Sequence, residues 1–174
     1  MERVLSLGIT ITAANVADLP ELSDVAAQTF PLACPPSVTQ ENIAAFIAEN
    51  LSESRFRDYL DDPDRAVLAA REDGRIAGYA MLVRDAADDD AVVELSKIYV
   101  LPDSHGGGVA SALMSAALRA ASELDAKSLW LGVNQKNQRA QRFYAKHGFT
   151  ISGTRTFQLG DGVEHDYVMA RPIS

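Results

Sequence analysis

Near the start of the chain, the spacing of apolar residues predicts one strand followed by a helix. Residues 8–13 alternate apolar and polar side chains with period two and are rich in β-branched types, as in a half-buried strand. From Val16 to Thr29 the apolar side chains recur along one helical face, which predicts an amphipathic helix. Asn15 is suited to cap the start of this helix, and we expect Pro31 and the proline pair at 35–36 to end it.

Two more short helices and a hairpin are predicted next. Thr39 and Ser52 each carry a hydroxyl group directly before a segment with helical apolar spacing, so we expect each of them to cap a helix. Two apolar runs, 66–70 and 76–83, flank the Asp-Gly pair at 73–74. Such a pair between two strands is a strong signal for a tight turn, and it predicts that the two strands are antiparallel neighbours.

The second half of the chain alternates predicted strands and helices. In order, these are a solvated loop at 86–90, a strand at 92–100, a helix at 109–124, a strand at 129–133, a helix at 137–147, and strands at 150–159 and 163–170. A meander, a strand-helix-strand unit and a closing hairpin together predict a mixed α/β fold, with a mostly antiparallel mixed sheet of about seven strands flanked by helices. A length of 174 residues fits one domain, so we expect residues 1–174 to form it.

The strand after the aspartate-rich loop contains a change of phase. Val93 and Leu95 put apolar groups on one face, whereas Ile98 and Val100 have the opposite parity, with Ser96-Lys97 at the changeover. One inserted β-bulge residue would produce this pattern and leave backbone groups free for a ligand. A strand buried on both faces would produce it equally well, because parity then carries no information.

Composition and charge narrow the class of protein. With 47% hydrophobic and 23% charged residues, the chain has the composition of a globular domain. Its formal net charge of -8 repels phosphate backbones, so we expect no nucleic-acid partner. Cys34 is the single cysteine, which excludes an internal disulfide and a cysteine-based zinc motif and favours a reducing compartment, the cytoplasm.

No apolar run in the sequence approaches the length needed to span a bilayer, and the first residues do not form a secretion signal. We therefore expect no membrane partner. An exposed edge strand near the C-terminus would permit a homodimer.

A run of glycines follows the predicted strand 92–100 and opens the next helix, in the segment His105-Gly106-Gly107-Gly108-Val109-Ala110-Ser111. This position directs free backbone N–H groups and the positive end of the helix at one place, which suits a diphosphate ligand. A flexible turn is the plainer explanation of three glycines. The dinucleotide-binding pattern would need a glycine at Ser111, and the P-loop would need Gly-Lys followed by Ser or Thr, so neither fits.

The predicted helix 137–147 presents a second pattern. Asn137, Ala140 and Tyr144 recur at three- and four-residue spacing, so one face carries an amide, a small residue and a phenol. Taken alone, Tyr144 would more often belong to a core than to a catalytic site. Together with the glycine loop and the strand with the phase change, however, the set becomes specific.

The segment from Val92 to Phe149 resembles the cofactor-binding half of the GCN5-related N-acetyltransferase (GNAT) family. The family's loop pattern is Gln or Arg, two residues, Gly, one residue, then Gly or Ala, and it falls on residues 105–110. His105 stands where the family has Gln or Arg. A later family motif of Asn, Ala, a Phe-Tyr pair and Gly-Phe falls on residues 137–149. The resemblance implies the GNAT-type acyl-CoA N-acyltransferase fold.

The resemblance also implies acetyl-CoA as cosubstrate. The backbone of the bulged strand would pair with its pantetheine arm, and the glycine loop would hold its pyrophosphate. The implied cofactor-binding residues are Ile98, Tyr99, Val100, His105, Gly106, Gly107, Gly108, Val109, Ala110, Ser111, Asn137 and Tyr144.

Acetyl transfer to an amine needs a proton acceptor for the amine and a proton donor for the departing thiolate. By resemblance Tyr144 is the general acid, and Glu94, on the strand just before the phase change, is our candidate general base. Direct attack by a bound amine needs no acyl-enzyme, so we interpret Cys34 as structural. We assign no metal, because His147 and His165 form no ligand pattern.

A weaker resemblance over nearly the whole chain points to the bacterial spermidine/spermine N-acetyltransferase branch, and so to a polyamine acceptor. A cluster of carboxylates would bind the charges of a polyamine: Glu41, Glu49, Asp88, Asp89, Asp90 and Glu94. The alternatives are a protein N-terminus, a lysine or another small amine as acceptor, and a non-catalytic sensor that binds acyl-CoA.

Overall fold

The computed structural model describes residues 3–4, 8–85 and 91–173. The predicted loop at 86–90, with its three aspartates, lies outside these residues. Within the described ranges no helix is both long and apolar enough to cross a membrane.

The centre of the fold is a single mixed sheet. Its strands are β1 (Arg3–Val4), β2 (Ile9–Ala13), β3 (Arg65–Glu72), β4 (Arg75–Arg84), β5 (Val92–Val100), β6 (Ser128–Asn134), β7 (Thr150–Leu159) and β8 (Gly162–Pro172). They lie in the order β1-β2-β3-β4-β5-β6-β8-β7, and every neighbouring pair is antiparallel except β5 and β6. The prediction of a mostly antiparallel mixed sheet is confirmed. The sheet contains the seven predicted strands and, in addition, the two-residue strand β1.

Helices cover both faces of the sheet. They are α1 (Leu19–Ala33), α2 (Gln40–Asn50), α3 (Glu53–Asp61), α4 (Val109–Glu123) and α5 (Gln138–Lys146). One apolar core lies between the sheet and α4, and a second lies between the opposite face and helices α1 and α3. The predicted caps are confirmed, because the side chains of Thr39 and Ser52 accept hydrogen bonds from the backbone at the starts of α2 and α3.

The first helix differs from its prediction at both ends. Asn15 does act as a cap, but it caps a short 3-10 turn, Val16–Asp18, which leads into α1. Pro31 lies inside α1, which ends only at Ala33, so the prediction that Pro31 stops the helix is wrong. A proline removes one backbone donor from the helix, but here the chain continues the turn past it, and the N–H of Cys34 donates to the carbonyl of Pro31 at 3.2 Å.

The change of phase in β5 is a β-bulge. Lys97 lies opposite Met81 of β4, but Leu95 lies opposite the next residue, Leu82, so Ser96 is the extra residue. Leu95 and Ile98 pack in the core on the α4 side. Lys97 lies over the rings of residues 46 and 59 on the other side.

Strands β5 and β6 separate soon after they meet. Their parallel pairing covers three positions and ends where Glu94 faces Trp130, whereas β5 continues to Val100 and β6 to Asn134. On its β6 side, the backbone of β5 beyond Glu94 therefore has no strand partner among the described residues. The bulge at Ser96 lies just past this separation.

Candidate active site

A cleft of about 710 Å³ opens where β5 and β6 separate. Its walls come from β5, the glycine loop, the first turn of α4, α5, the end of α1 and the β7–β8 hairpin. A sheet whose strands part in this way offers unpaired backbone N–H and C=O groups to an extended ligand with amide groups of its own.

The glycine loop leads into α4, whose first turn has no side-chain cap. Gly108 is the N-cap of α4, has a φ of 88° in the left-handed region, and provides no side-chain cap. The first turn of a helix has N–H groups with no partner inside the helix. Residues Gly106, Gly108, Ala110 and Ser111 line the cleft, so these donors lie at its edge, where they suit an anionic group.

His105 has both ring nitrogens in use. Its Nε2 lies 2.9 Å from the carbonyl oxygen of Val100, and its Nδ1 lies 2.8 Å from Nη2 of Arg139 on α5. A guanidinium only donates, so Nδ1 accepts and Nε2 carries the proton that it donates to Val100. The side chain of His105 is thus held by protein groups, and Arg139 is the exposed cation that lines the cleft beside it.

Helix α5 brings Asn137 and Tyr144 to the cleft. The side-chain oxygen of Asn137 accepts from the backbone N–H of Ala140 at 3.1 Å and so caps α5. Tyr144 is partly buried, and its ring packs edge-on against Phe149 at 6.0 Å. Burial raises the pKa of the Tyr144 phenol above its ordinary value of 10.0, which keeps the phenol protonated and able to donate.

Glu94 also lines the cleft, on the far side of the bulge from Ile98. Burial raises the pKa of Glu94, while the cations of Arg155, Lys97 and Arg65 oppose the shift. Arg155 lies 3.9 Å from the Glu94 carboxylate and donates from Nε to Asp166 at 3.1 Å. A carboxylate whose pKa is raised in a cleft is a stronger base than an exposed one and is suited to accept a proton from a substrate.

Gly132 of β6 makes room for Arg155. A Cβ atom at Gly132 would collide with the guanidinium of Arg155, which also lies 5.5 Å from the centre of the Trp130 ring. The absence of a side chain on β6 therefore allows Arg155 to reach across to Glu94.

Lys97 is another charged group in the cleft. Its Nζ lies 6.0 Å from the ring centres of Phe46 and Tyr59, and no carboxylate of the described residues lies within ion-pair distance of it. Burial lowers the pKa of Lys97 to about 8, the cations of Arg65 and Arg55 act in the same direction, and Glu94 opposes them.

Cys34 and His165 are not placed to act as a nucleophile or as a metal ligand. Cys34 lines the cleft, but burial and the nearby Glu164 raise the pKa of its thiol to about 11, so the thiol is a poor nucleophile. His165 is exposed. Among the described residues no group of three potential ligands could hold a metal ion.

Ten of the twelve residues predicted to bind the cofactor line the cleft, together with Glu94. The other two, Gly107 and Val109, do not; the side chain of Val109 is fully buried in the core and leaves only its backbone for a ligand. Of the carboxylates predicted to bind a polyamine, Glu41 and Glu49 are exposed on α2 and do not line the cleft. Asp88, Asp89 and Asp90 lie outside the described residues.

The sequence interpretation missed four cations of the cleft, Lys97, Arg139, Lys146 and Arg155. Arg139 could have been found as a charge on the exposed side of the predicted helix 137–147. For Lys97 the only local signal was the change of phase at the bulge. For Arg155 none exists, because its placement depends on the β7–β8 hairpin. The same holds for the apolar wall made by Phe30, Phe46 and Phe157.

Comparison with known protein sequences finds the same family that the sequence motifs resemble. A family model described as "Acetyltransferase (GNAT) family" matches residues 28–149. A Mycobacterium tuberculosis protein named as an uncharacterized N-acetyltransferase is 61% identical over 158 residues, which cover 91% of this chain and 99% of that protein.

Solved structures share the fold. The PaiA N-acetyltransferase of Thermoplasma acidophilum, crystallised with coenzyme A, superposes with a TM-score of 0.81 at 22% identity, covering 94% of this chain and 98% of that one. The ribosomal-protein-S18-alanine N-acetyltransferase of Escherichia coli gives a TM-score of 0.73 at 23% identity, covering 95% and 94%.

Proposed function

Because the chain belongs to the GNAT family of acetyltransferases and is an acetyl-CoA-dependent N-acetyltransferase, we propose that it acetylates a primary amine bound in the cleft beside Glu94. The observation that carries the proposal is the separation of β5 from β6 beside the uncapped start of α4. Unpaired strand backbone next to a helix N-terminus suits a ligand that has amide groups at one end and phosphates at the other, as acetyl-CoA has.

Different residues of the chain serve the two ends of the bound cosubstrate. At the phosphate end, the backbone of Gly106 and of residues 108–111 provides donors, and Arg139 adds a positive charge. The backbone of Ile98 to Val100 would hold the pantetheine arm, which places the thioester near the bulge. A site that fixes both reactants in this way gains rate from proximity alone.

Proton transfer is assigned to two side chains. Glu94 removes the proton of the bound ammonium, directly or through water, because an amine reacts only through its free lone pair. Tyr144 gives a proton to the sulfur of the departing coenzyme A. The raised pKa values of Glu94 and Tyr144 suit these two roles, since the carboxyl titrates closer to neutral pH and the phenol stays protonated.

The cleft favours an acceptor with a single positive charge and an apolar neighbour. Phe30, Phe46 and Phe157 provide an apolar wall, and the cations Arg155 and Lys97 oppose the approach of a polycation. An α-amino group at a peptide N-terminus or a small amine has this chemistry.

A polyamine is the second candidate acceptor. Three carboxylates line the cleft, Glu94, Glu164 and Asp166, and they could bind several ammonium groups. However, Asp166 is already bound by Arg155, and Glu164 accepts from the side chain of Asn134 at 3.0 Å.

Release of the coenzyme A thiol tests the proposal. The protein is mixed with acetyl-CoA and, in separate reactions, with spermidine, spermine, a lysine peptide, free amino acids and peptides with apolar N-termini. Turnover of the N-terminal peptides or small amines above the polyamines is the expected result. If acetyl-CoA raises the thermal stability of the protein but none of these amines releases thiol, the proposed classes of acceptor are wrong.

A further inference from the structure

The cleft contains an amine of its own, the side chain of Lys97. We propose that Lys97 is a site of self-acetylation, at which its amine takes the acetyl group of acetyl-CoA bound in the same molecule when no acceptor fills the cleft. The inference rests on the proposed function, because it uses the same cosubstrate and the same cleft.

The bulge places Lys97 on the acceptor side of the site. Without an extra residue in β5, side chains at odd spacing from Glu94 would point to the opposite face. Because Ser96 is inserted, Lys97 and Glu94 lie on the same face of the sheet, where Nζ of Lys97 lies 6.0 Å from the ring centres of Phe46 and Tyr59. Both side chains line the cleft that Tyr144 also lines.

The surroundings of Lys97 also favour its uncharged form. The amine is partly buried, has no ion pair with a carboxylate of the described residues, and has a pKa lowered to about 8. An exposed lysine titrates near 10.4, so at neutral pH a far larger fraction of Lys97 carries a free lone pair. The groups that act on its charge are Glu94 on β5, Arg65 on β3 and Arg55 on α3.

Acetylation of Lys97 forms and breaks the same kinds of bond as transfer to an external amine. The lone pair of Nζ attacks the carbonyl carbon of the thioester, a C–N bond forms, and the C–S bond breaks. The amine loses one proton and the departing sulfur gains one, so the products are N-acetyl-lysine and coenzyme A thiol. No further reactant is needed.

The other lysines of the chain provide internal controls. Lys127, Lys136 and Lys146 are all exposed, and Lys146 additionally lines the cleft. Acetic anhydride reports the intrinsic reactivity of each amine, which for Lys97 combines partial burial with a larger free-amine fraction. Reaction from bound acetyl-CoA should raise the preference for Lys97 above that baseline, because proximity then adds to intrinsic reactivity.

The experiment follows acetylation of each lysine by peptide mass spectrometry. Wild-type protein is incubated either with acetyl-CoA and no acceptor or with acetic anhydride. With acetyl-CoA, Lys97 is expected to be modified faster than each exposed lysine, on the order of tenfold or more, at a rate independent of protein concentration. Gly108→Val, which should lose the cofactor, is expected to lose the preference for Lys97.

The outcomes separate this inference from the proposed function. If amines release thiol but Lys97 stays unmodified, or follows the exposed lysines in both reagents, self-acetylation is wrong and the transferase function stands. If Lys97 is modified rapidly while no amine in the panel is turned over, the inference stands and the proposed acceptor fails.

Blocking of the cleft provides an independent measurement. Acetyl-Lys97 would occupy the acceptor side, so preincubation of wild-type protein with acetyl-CoA alone should lower its later turnover of an amine. Lys97→Arg keeps the charge but accepts no acetyl group, so its own turnover should not change with preincubation. An equal loss in both proteins would contradict the assignment to Lys97.

Discussion

Arg139 of α5 is bonded to His105 of the glycine loop, with 2.8 Å between Nη2 of Arg139 and Nδ1 of His105. His105 in turn donates from Nε2 to the carbonyl oxygen of Val100, the last residue of β5. The loop position where the GNAT motif has Gln or Arg is therefore filled by a residue that holds an arginine from another element. The cation is present in the cleft, although the sequence motif lacks it.

We predict that Arg139→Ala weakens acetyl-CoA binding by roughly three- to tenfold, since an exposed charge-assisted hydrogen bond contributes about 1 kcal/mol. His105→Ala should have a smaller effect, because Arg139 would stay but lose its support. Arg142→Ala is the matched control, as Arg142 is exposed on the same helix and does not line the cleft. Calorimetric titration measures all three, and equal affinities for Arg139→Ala and Arg142→Ala would place the phosphates elsewhere.

Gly108 should be intolerant of a side chain for two reasons. Its φ of 88° strains any L residue by roughly 1–2 kcal/mol, and a Cβ would stand where a phosphate approaches the backbone. Gly108→Val is expected to abolish acetyl-CoA binding in the same titration. Gly74→Ala is the control, because Gly74 has a similar φ of 81° at the β3–β4 turn. If both variants bind normally, the loop does not hold the phosphates.

Local patterns predicted the parts of the fold that local physics determines. Thr39 and Ser52 cap helices as expected, and the Asp73-Gly74 turn joins β3 to β4. The bulge at Ser96 was readable as one of two explanations of a change in parity. In each case the deciding interaction lies within a few residues or between adjacent strands.

The acceptor half of the cleft could not be predicted in this way. Glu94, Arg155 and Asp166 are brought together by the order of strands β5, β6, β8 and β7, and the sequence pattern does not give that order. The number of carboxylates in the sequence also did not show which of them line the cleft. Glu41 and Glu49 are exposed on α2 and do not line the cleft, because net charge says nothing about where a side chain points.

Tyr144→Phe tests the proton donor. We expect turnover to fall roughly 10²- to 10⁴-fold, the usual contribution of a general acid, while the affinity for acetyl-CoA stays unchanged because only a hydroxyl is lost. Tyr167→Phe is the control, since Tyr167 packs against the core and does not line the cleft. Steady-state rates and a direct binding titration are both needed. A parallel loss of binding and turnover would make Tyr144 a binding residue instead.

Glu94→Gln tests the general base through the pH profile. The base must be deprotonated, so wild-type kcat/KM should fall as the pH drops through the pKa of Glu94, which burial raises above its ordinary value of 4.5. In Glu94→Gln this acid limb should disappear along with most of the activity. Glu164→Gln removes another carboxylate of the cleft and should keep the limb. An unchanged limb in Glu94→Gln would assign the base to another group.

Lys97→Met tests the cost of the buried amine to stability. The folded pKa of Lys97 is about 8, against an ordinary 10.5, so the unfolded chain binds more protons between these values. The penalty is thus complete below pH 8 and is relieved as the pH rises towards 10.5. Replacement by the apolar Met should raise the free energy of unfolding at neutral pH by about 1–2 kcal/mol, less than the full shift implies, because Glu94 loses a neighbouring cation.

Urea unfolding at neutral pH and near pH 10.5 measures this dependence for Lys97→Met. The gain should shrink strongly at the higher pH, where Lys97 is neutral in the folded state and deprotonated in about half of the unfolded chains. Lys146→Met is the matched control, because Lys146 is exposed and its removal should change stability little at either pH. If Lys97→Met is less stable than wild type at neutral pH, the ammonium has a stabilising partner and its amine is not held ready to react.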